Sequence, residues 1–168
     1  RKCPLGLFFM KRSIIMQYSI EKPGWIEVVC GPMFAGKTEE LIRRVKRMDF
    51  AKKKYIIFKP VIDDRYSISE VVSHSQRKVQ AINISNSKEM AAYITEDIEA
   101  VLIDEVQFFD EAVLEVCRTL ANQGLRVICA GLDCDFRGNP FPIVANLLAM
   151  AEQITKLTAI CVCCGNEA

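Results

Sequence analysis

The sequence predicts an α/β fold, in which helices cover both faces of a parallel β-sheet. From Trp25 onward, short apolar runs alternate with segments of helical periodicity, which is typical of repeated βαβ units. Several of the apolar runs are rich in Val and Ile, such as the runs at 25–30 and 100–103. Strands of this kind are apolar on both faces, so the sheet needs cover on both sides.

Six strands and three helices are predicted along the chain. The strands cover residues 25–30, 55–58, 78–84, 100–103, 125–131 and 154–160. The helices cover residues 38–50, 110–122 and 142–151. Helix 38–50 has an apolar side, and its other side carries Arg43, Arg44, Lys46 and Arg47, as in an amphipathic surface helix. Helix 110–122 is expected to stop at Gly124, which can adopt the left-handed conformation of a helix cap.

The composition indicates one soluble globular domain. The chain has 168 residues, of which 51% are hydrophobic and 26% charged, and its formal net charge is +1. A nucleic-acid backbone is bound by a basic excess on one face, so we expect no nucleic-acid partner. A membrane-spanning helix requires roughly 18 or more consecutive apolar residues. The sequence has no such run, so we expect no integral membrane protein.

The eight cysteines are unevenly distributed along the chain. Five of them are scattered, whereas Cys161, Cys163 and Cys164 lie close together near the end. A secreted disulfide framework is usually shorter and richer in loops, so the cysteines favour a reducing, cytoplasmic location. Residues 1–22 begin with Arg rather than Met and are expected to be a disordered or non-native leader.

The most informative motif is a phosphate-binding loop at residues 31–38. Its sequence, Gly-Pro-Met-Phe-Ala-Gly-Lys-Thr, fits the pattern G-x-x-x-x-G-K-[ST] and lies between a predicted strand and a predicted helix. In that setting, backbone N–H groups converge on phosphate oxygens. Lys37 would reach the β- and γ-phosphates, and the hydroxyl of Thr38 would bind Mg²⁺.

A pair of acidic residues, Asp104 and Glu105, follows the predicted strand 100–103. Carboxylates at this end of a strand lie near the phosphate loop if the two strands are neighbours. Asp104 is then a partner of Mg²⁺, and Glu105 can accept the proton of the oxygen that attacks the γ-phosphate. If Glu105 activates water, the protein is an ATPase; if it activates a bound hydroxyl, it is a kinase. The loop and the acidic pair leave both alternatives open.

Five segments in unbroken order resemble the type-II thymidine kinases, a family that includes cytosolic enzymes. They are the phosphate loop 31–38, KPVIDDRY at 59–66, IDEVQFF at 103–109, GLDCDFRGNPF at 131–141, and ITKLTAIC at 154–161 with the following Cys164. The resemblance covers about residues 24 to 168. It implies a RecA-like P-loop kinase core with a parallel sheet at 23–160, followed at 161–168 by the start of a small zinc-binding lasso lobe.

The resemblance further implies transfer of the γ-phosphate of ATP to the 5′-hydroxyl of thymidine, which gives dTMP. Glu105 falls on the catalytic base, and Thr38 and Asp104 fall on the Mg²⁺ environment. The positions that match ATP-binding residues are Gly31, Pro32, Met33, Phe34, Ala35, Gly36, Lys37, Thr38, Asp63, Arg65, Asp104 and Gln107. The positions that match the apolar thymine pocket are Met33, Phe108, Leu132 and Phe136, whereas Phe109 and Phe141 are assigned to the core.

Cys161 and Cys164 have the spacing of half a tetrahedral Zn²⁺ site. The resemblance implies a second ligand pair after a base-covering loop, so we expect the remaining ligands to lie outside this chain. We also expect the chain to bind ATP but to turn over slowly without that loop. A homotetramer and feedback inhibition by dTTP are further expectations of the resemblance.

Two other functions are compatible with part of these observations. The first is a RecA-like P-loop ATPase in which Glu105 activates water, and the second is a non-catalytic module that binds zinc and a nucleotide. His74, the only histidine, is assigned a structural role in a loop, because Glu105 already supplies a proton acceptor.

Overall fold

A sheet of six parallel strands lies at the centre of the protein. The computed structural model describes residues 23–61, 70–72 and 78–167. The strands are β1 (Trp25–Cys30), β2 (Tyr55–Pro60), β3 (Glu70–Val72), β4 (Lys78–Gln80), β5 (Ile82–Ile84), β6 (Ala100–Ile103), β7 (Arg126–Gly131) and β8 (Gln153–Lys156). The main sheet has the order β5-β2-β6-β7-β1-β8, and β3 and β4 form a separate antiparallel pair.

In the described residues, three α-helices and two short 3₁₀-helices connect the strands. They are α1 (Lys37–Phe50), α2 (Ala112–Asn122), α3 (Pro142–Met150) and the 3₁₀-helices Ser87–Tyr93 and Val106–Phe108. As predicted, the chain turns after α2 through Gly124, which has a φ of 89°. None of the helices in the described part of the chain is long and apolar enough to cross a membrane.

The core forms two apolar clusters, one on each face of the sheet. Along β6, Val101 and Ile103 belong to one cluster and Leu102 to the other, because successive side chains of a strand point to opposite faces. Residues of α2 and α3 complete the first cluster, and residues of α1 complete the second. The predicted α/β fold is therefore confirmed, with a parallel sheet between helices that is consistent with a RecA-like core.

Two predicted strands differ in the structure. The segment 78–84 is divided at the buried Ala81 into β4, which pairs with β3, and β5, which pairs with β2. All of the segment has β-propensity, so its residue pattern does not indicate where the pairing strand changes. The predicted strand 154–160 ends at Lys156, because the last paired residue of β1 is Cys30, where the phosphate loop begins. The N–H of Leu157 still donates to the carbonyl of Cys30, over 2.8 Å.

A buried ion network attaches α1 to the sheet. Glu27 of β1 is almost fully buried, and its carboxylate accepts hydrogen bonds from Arg44 of α1, from Arg126 of β7 at 2.6 Å and from the indole N–H of Trp25 at 2.6 Å. Arg44 is buried as well, so its prediction as a cation of the polar helix side is wrong. A guanidinium can be buried at this point because Glu27 and Glu40 both accept from it.

Candidate active site

The phosphate loop connects β1 to α1 through a series of unusual backbone conformations. Gly31, Phe34 and Gly36 have φ values of 150°, 64° and 84°. Gly31 must be a glycine because a Cβ there would lie 2.3 Å from the carbonyl oxygen of Leu157. Gly36 is the N-cap of α1 and has no side chain to cap the first turn. The N–H groups and positive dipole end of this turn are therefore directed at the loop.

Lys37 belongs to the phosphate loop and lies within electrostatic range of the acidic pair. Its ammonium group donates to the carbonyl of Pro32 over 2.7 Å, so the side chain lies along the loop. Burial lowers the pKa of Lys37, and the negative charges of Glu105, Asp104 and Asp133 oppose that shift. The lysine predicted to bind phosphate thus lies within electrostatic range of the predicted base and the predicted magnesium ligand.

Asp104 directly follows β6 and carries a buried carboxylate, with only 3% of the residue exposed. Its Oδ1 atom accepts from the N–H of Glu105 at 3.0 Å, and Oδ2 lies 3.5 Å from the ammonium of Lys59. Burial raises the pKa of Asp104, whereas the nearby Lys59 opposes this effect. Strand β7 separates β6 from β1, so the neighbouring arrangement that the sequence analysis considered does not occur. The parallel order nevertheless brings both strand ends to one edge of the sheet.

Glu105 has a left-handed backbone conformation, with φ 51° and ψ 43°. Such a conformation costs about 1–2 kcal/mol for a residue other than glycine. The turn directs the half-buried carboxylate toward Gln107, whose side-chain N–H₂ donates to Oε2 over 2.6 Å. A strained residue directly after a strand is a feature of many functional sites.

Two parts of this region had no assigned role in the sequence analysis. Lys59 lies near the end of β2, at the same edge as Asp104. Asp133, which follows β7, lies 3.1 Å from the ammonium of Lys156 and raises the pKa of that lysine. The available signal was that Lys59 and Asp133, like Asp104, occur just after the carboxyl ends of predicted strands. Their partners were not predictable because they depend on the order of the strands.

The residues predicted for the apolar pocket are mostly exposed. Met33 and Phe108 are exposed, Leu132 is half-buried, and Phe136 is 91% exposed with the guanidinium of Arg137 5.1 Å from its ring centroid. Their roles in binding a base stay predictions.

The phenyl rings assigned to the core differ in their burial. Phe109 is buried, as predicted. Phe141 is only partly buried and meets the ring of Phe108 edge to face, with 6.4 Å between ring centroids. Phe141 therefore packs between the core and a candidate pocket residue. Asp63, Arg65 and His74 lie outside the described residues, so their predicted roles stay predictions.

The segment around Cys161 and Cys164 forms a compact turn. The N–H of Cys161 donates to the carbonyl of Asn166, and the N–H of Gly165 donates to the carbonyl of Cys161, both over 2.8 Å. Backbone N–H groups of Cys164 and Cys163 donate to the sulfur of Cys161 and lower the pKa of its thiol. Within the described ranges, no group of three or more His, Cys, Asp or Glu side chains could hold a metal ion. The predicted role of Cys161 and Cys164 in binding Zn²⁺ therefore stays a prediction.

Comparison with protein families gives a match that spans this edge of the sheet. The family model described as thymidine kinase matches residues 24–168, from just before β1 to the end of the chain. The match includes the phosphate loop, the acidic pair and the cysteine turn.

Proposed function

Because the chain belongs to the thymidine kinase family, we propose that it transfers the γ-phosphoryl group of ATP to the 5′-hydroxyl of thymidine. The family is one of kinases, which are phosphotransferases. The observation that supports phosphoryl transfer is the position of Glu105, whose backbone is strained and whose carboxylate lies within electrostatic range of the phosphate-loop lysine, Lys37. A proton acceptor is thereby held beside the group that would bind the phosphates. The choice of thymidine rather than water as the acceptor rests on family membership.

In the proposed reaction, Glu105 accepts the proton of the 5′-hydroxyl as that oxygen attacks the γ-phosphorus. A bond forms between the 5′-oxygen and the γ-phosphorus, and the bond from this phosphorus to the β–γ bridging oxygen breaks, which yields dTMP and ADP. Backbone N–H groups of the loop from Gly31 to Thr38 hold phosphate oxygens. Lys37 offsets the negative charge of the transferred group. Asp63 and Arg65 are proposed to act beside the phosphates on the basis of family membership.

Asp104 and Thr38 are the residues that would hold the Mg²⁺ ion of Mg-ATP. A buried carboxylate at the end of β6 and a hydroxyl in the first turn of α1 fit this ion, which prefers oxygen ligands and commonly takes one or two carboxylates with phosphates. When bound, Mg²⁺ neutralises charge on the phosphates. The ammonium of Lys59, 3.5 Å from Asp104, gives this carboxylate a cationic neighbour within the protein itself.

The thymine base is proposed to bind against Met33, Phe108, Leu132 and Phe136. A flat base with a methyl group is held mainly by shape and stacking, with few polar contacts. The exposed Met33 and Phe108 offer such apolar surface next to the phosphate loop and to the acidic pair.

The test is the dependence of ATP turnover on thymidine. With Mg-ATP, we expect ADP release to rise sharply when thymidine is added, and dTMP to form in equal amount. Glu105→Gln is expected to lower kcat for dTMP formation about 100-fold or more, because the proton acceptor is lost. Glu115→Gln removes an exposed carboxylate of α2 and serves as the matched control. Equal ADP release with and without thymidine would instead favour an ATPase in which Glu105 activates water.

Cys161 and Cys164 are proposed as two thiolate ligands of a structural Zn²⁺ ion. The lowered pKa of the Cys161 thiol favours the thiolate that binds zinc, and the N–H groups directed at this sulfur favour the same charged form. Cys161→Ser and Cys164→Ser should lower the zinc content of the purified protein, measured by mass spectrometry. Cys163→Ser is the matched control within the same turn and should retain the metal. Equal zinc in all three variants would exclude both proposed ligands.

Assembly and regulation follow from family membership alone. A homotetramer and inhibition by dTTP are proposed on this basis, and analytical ultracentrifugation and a dTTP titration of dTMP formation test them directly.

A further inference from the structure

Gln107 connects the candidate base to the segment that follows β7. Its side-chain N–H₂ donates to Oε2 of Glu105 over 2.6 Å, and its side-chain carbonyl accepts from the backbone N–H of Leu132 over 3.1 Å. Donor and acceptor are matched at both ends, and Gln107 is only 7% exposed. One planar amide therefore joins the turn at Glu105 to Leu132, which lies 25 residues after Gln107 in the sequence.

The space around this amide is closely fitted. A Cβ atom at Gly131 would lie 2.6 Å from the side-chain oxygen of Gln107 and 2.9 Å from Cγ1 of Val106. Gly131 has no unusual φ, so the requirement for glycine at this position is steric. Any residue with a Cβ at this position of β7 would therefore overlap the side chains of Gln107 and Val106 unless they moved.

Glu105 depends on such support because its backbone is strained. A left-handed backbone at a glutamate persists only where surrounding contacts hold it. The hydrogen bond from Gln107 occupies Oε2 and leaves Oε1 for a proton. The other end of Gln107 holds the N–H of Leu132, a residue proposed to contact the base.

We propose that Gln107 is a positioning residue, whose amide sets the orientation of the Glu105 carboxylate and the place of the Leu132 backbone together. This proposal rests on the proposed kinase function. The resemblance implies that Gln107 binds ATP, which stays a prediction, and its amide is hydrogen-bonded at both ends to the protein. One side chain therefore sets both the orientation of the proton acceptor, Glu105, and the position of Leu132 at the edge of the proposed nucleoside pocket.

Two substitutions separate the two hydrogen bonds. Gln107→Glu keeps an acceptor for the N–H of Leu132 but loses the donor to Glu105 and places a like charge beside it. Gln107→Met keeps a similar length and loses both bonds. Gln123→Met makes the same chemical change at an exposed position after α2 and is the matched control.

Steady-state kinetics with saturating Mg-ATP should resolve these variants. Both are expected to lower kcat by about 10- to 100-fold, because a misplaced catalytic group costs rate even when substrate still binds. Gln107→Glu should keep KM for thymidine within about twofold, and Gln107→Met should raise it several-fold. KM for ATP should stay within about twofold in both, and Gln123→Met should equal the wild type.

Gly131→Ala provides an independent approach, because its methyl group would displace the amide of Gln107. We expect its kcat and KM to change as in Gln107→Met. In Gly131→Ala/Gln107→Ala the overlap with the amide is removed and the overlap with Cγ1 of Val106 remains, so the melting temperature should recover in part relative to Gly131→Ala while kcat stays low.

The outcomes distinguish positioning from a merely structural role. A kcat of Gln107→Met within twofold of the wild type would overturn the proposal. So would a loss of activity in Gln107→Met and Gln107→Glu that only follows the folded fraction measured by circular dichroism, with both KM values unchanged. If the wild type forms no dTMP while it hydrolyses ATP, the proposed kinase function has failed, which is a different result from an unaffected variant.

Discussion

Glu105 combines a left-handed backbone with a carboxylate that is held at one oxygen. The backbone conformation does not help the chain to fold, because it is unfavourable for any residue with a Cβ and glycine would adopt it without cost. This conformation determines the direction of the Glu105 carboxylate. That direction explains why the strain persists beside the phosphate loop. At the scale of single residues, the site therefore contains a local cost in stability.

This strain predicts that a glycine variant of Glu105 is more stable than an alanine variant, which reverses the usual order of these two residues. Both Glu105→Gly and Glu105→Ala lose the carboxylate and its bond to Gln107, so they differ chiefly in the backbone. We expect Glu105→Gly to be more stable than Glu105→Ala by about 1 kcal/mol, because only alanine retains the left-handed strain. Urea denaturation gives the two free energies of unfolding. A more stable alanine variant would mean that the backbone at this position is relaxed.

At the scale of elements, two contacts between distant segments place the phosphate loop. Glu27 accepts from Arg44 and Arg126, which attaches the helix after the loop to the strand before it. Gly31 lets the start of the loop approach Leu157, the residue after β8. The loop is consequently held at both ends by parts of the chain that its own motif does not contain.

The ion network predicts a specific dependence of stability on Glu27 and on pH. Burial alone would raise the pKa of Glu27, but hydrogen bonds from Arg126 and Trp25 outweigh it, so the folded-state pKa lies below the unfolded one. The charged carboxylate therefore stabilises the protein above about pH 4.5, and this contribution is lost as the pH falls through the lowered folded-state pKa. Glu27→Gln should cost about 3–5 kcal/mol at neutral pH, since Arg44 stays buried beside a neutral amide.

Urea denaturation between pH 3 and pH 7 measures this effect. Glu99→Gln changes an exposed carboxylate and is the control, with an expected loss of at most about 1 kcal/mol. If Glu27→Gln shows the same dependence on pH as the wild type, Glu27 is not responsible for it.

Gly31 predicts a coupled loss of stability and nucleotide binding. A methyl group in Gly31→Ala would lie 2.3 Å from the carbonyl oxygen of Leu157, so either the loop or the segment after β8 must move. We expect a lower melting temperature and weaker ATP binding by calorimetry. Gly138→Ala is the control, because its Cβ would meet no atom within 4 Å although its φ is also positive. Unchanged ATP affinity in Gly31→Ala would contradict the prediction that the close contact between Gly31 and Leu157 places the phosphate loop.

At the scale of the whole protein, the sheet separates the core into two clusters that share no side chains. Ile42 of α1 belongs to one cluster, and Ile143 of α3 belongs to the other. The parallel strands between them are buried on both faces, as all-parallel sheets are. Each face therefore contributes its own packing energy.

This separation predicts additive losses of stability. Ile42→Val and Ile143→Val should each cost about 0.5–1.5 kcal/mol, and the double variant should equal their sum within about 0.5 kcal/mol. As a contrasting pair, Val113→Ala and Val144→Ala both alter the first cluster, and their effects are expected to deviate from additivity. The free energies come from urea denaturation, and strong coupling between Ile42 and Ile143 would refute two independent clusters.

The sequence by itself determined the alternation of strands and helices, the phosphate loop and the acidic pair, because each depends on residues that are close in the chain. Periodicity correctly predicted α1, and the loop motif placed Lys37 at its start. Local patterns could not show that Arg44 is buried, since its partner Glu27 lies 17 residues away on a strand.

Only the tertiary structure decided which strand ends meet. It placed β7 between β1 and β6, put Lys59 beside Asp104, and joined Gln107 to both Glu105 and Leu132. These contacts depend on the order of the strands in the sheet. Hydrophobic periodicity specifies which face of a strand is buried, but it carries no information about which strand lies beside it.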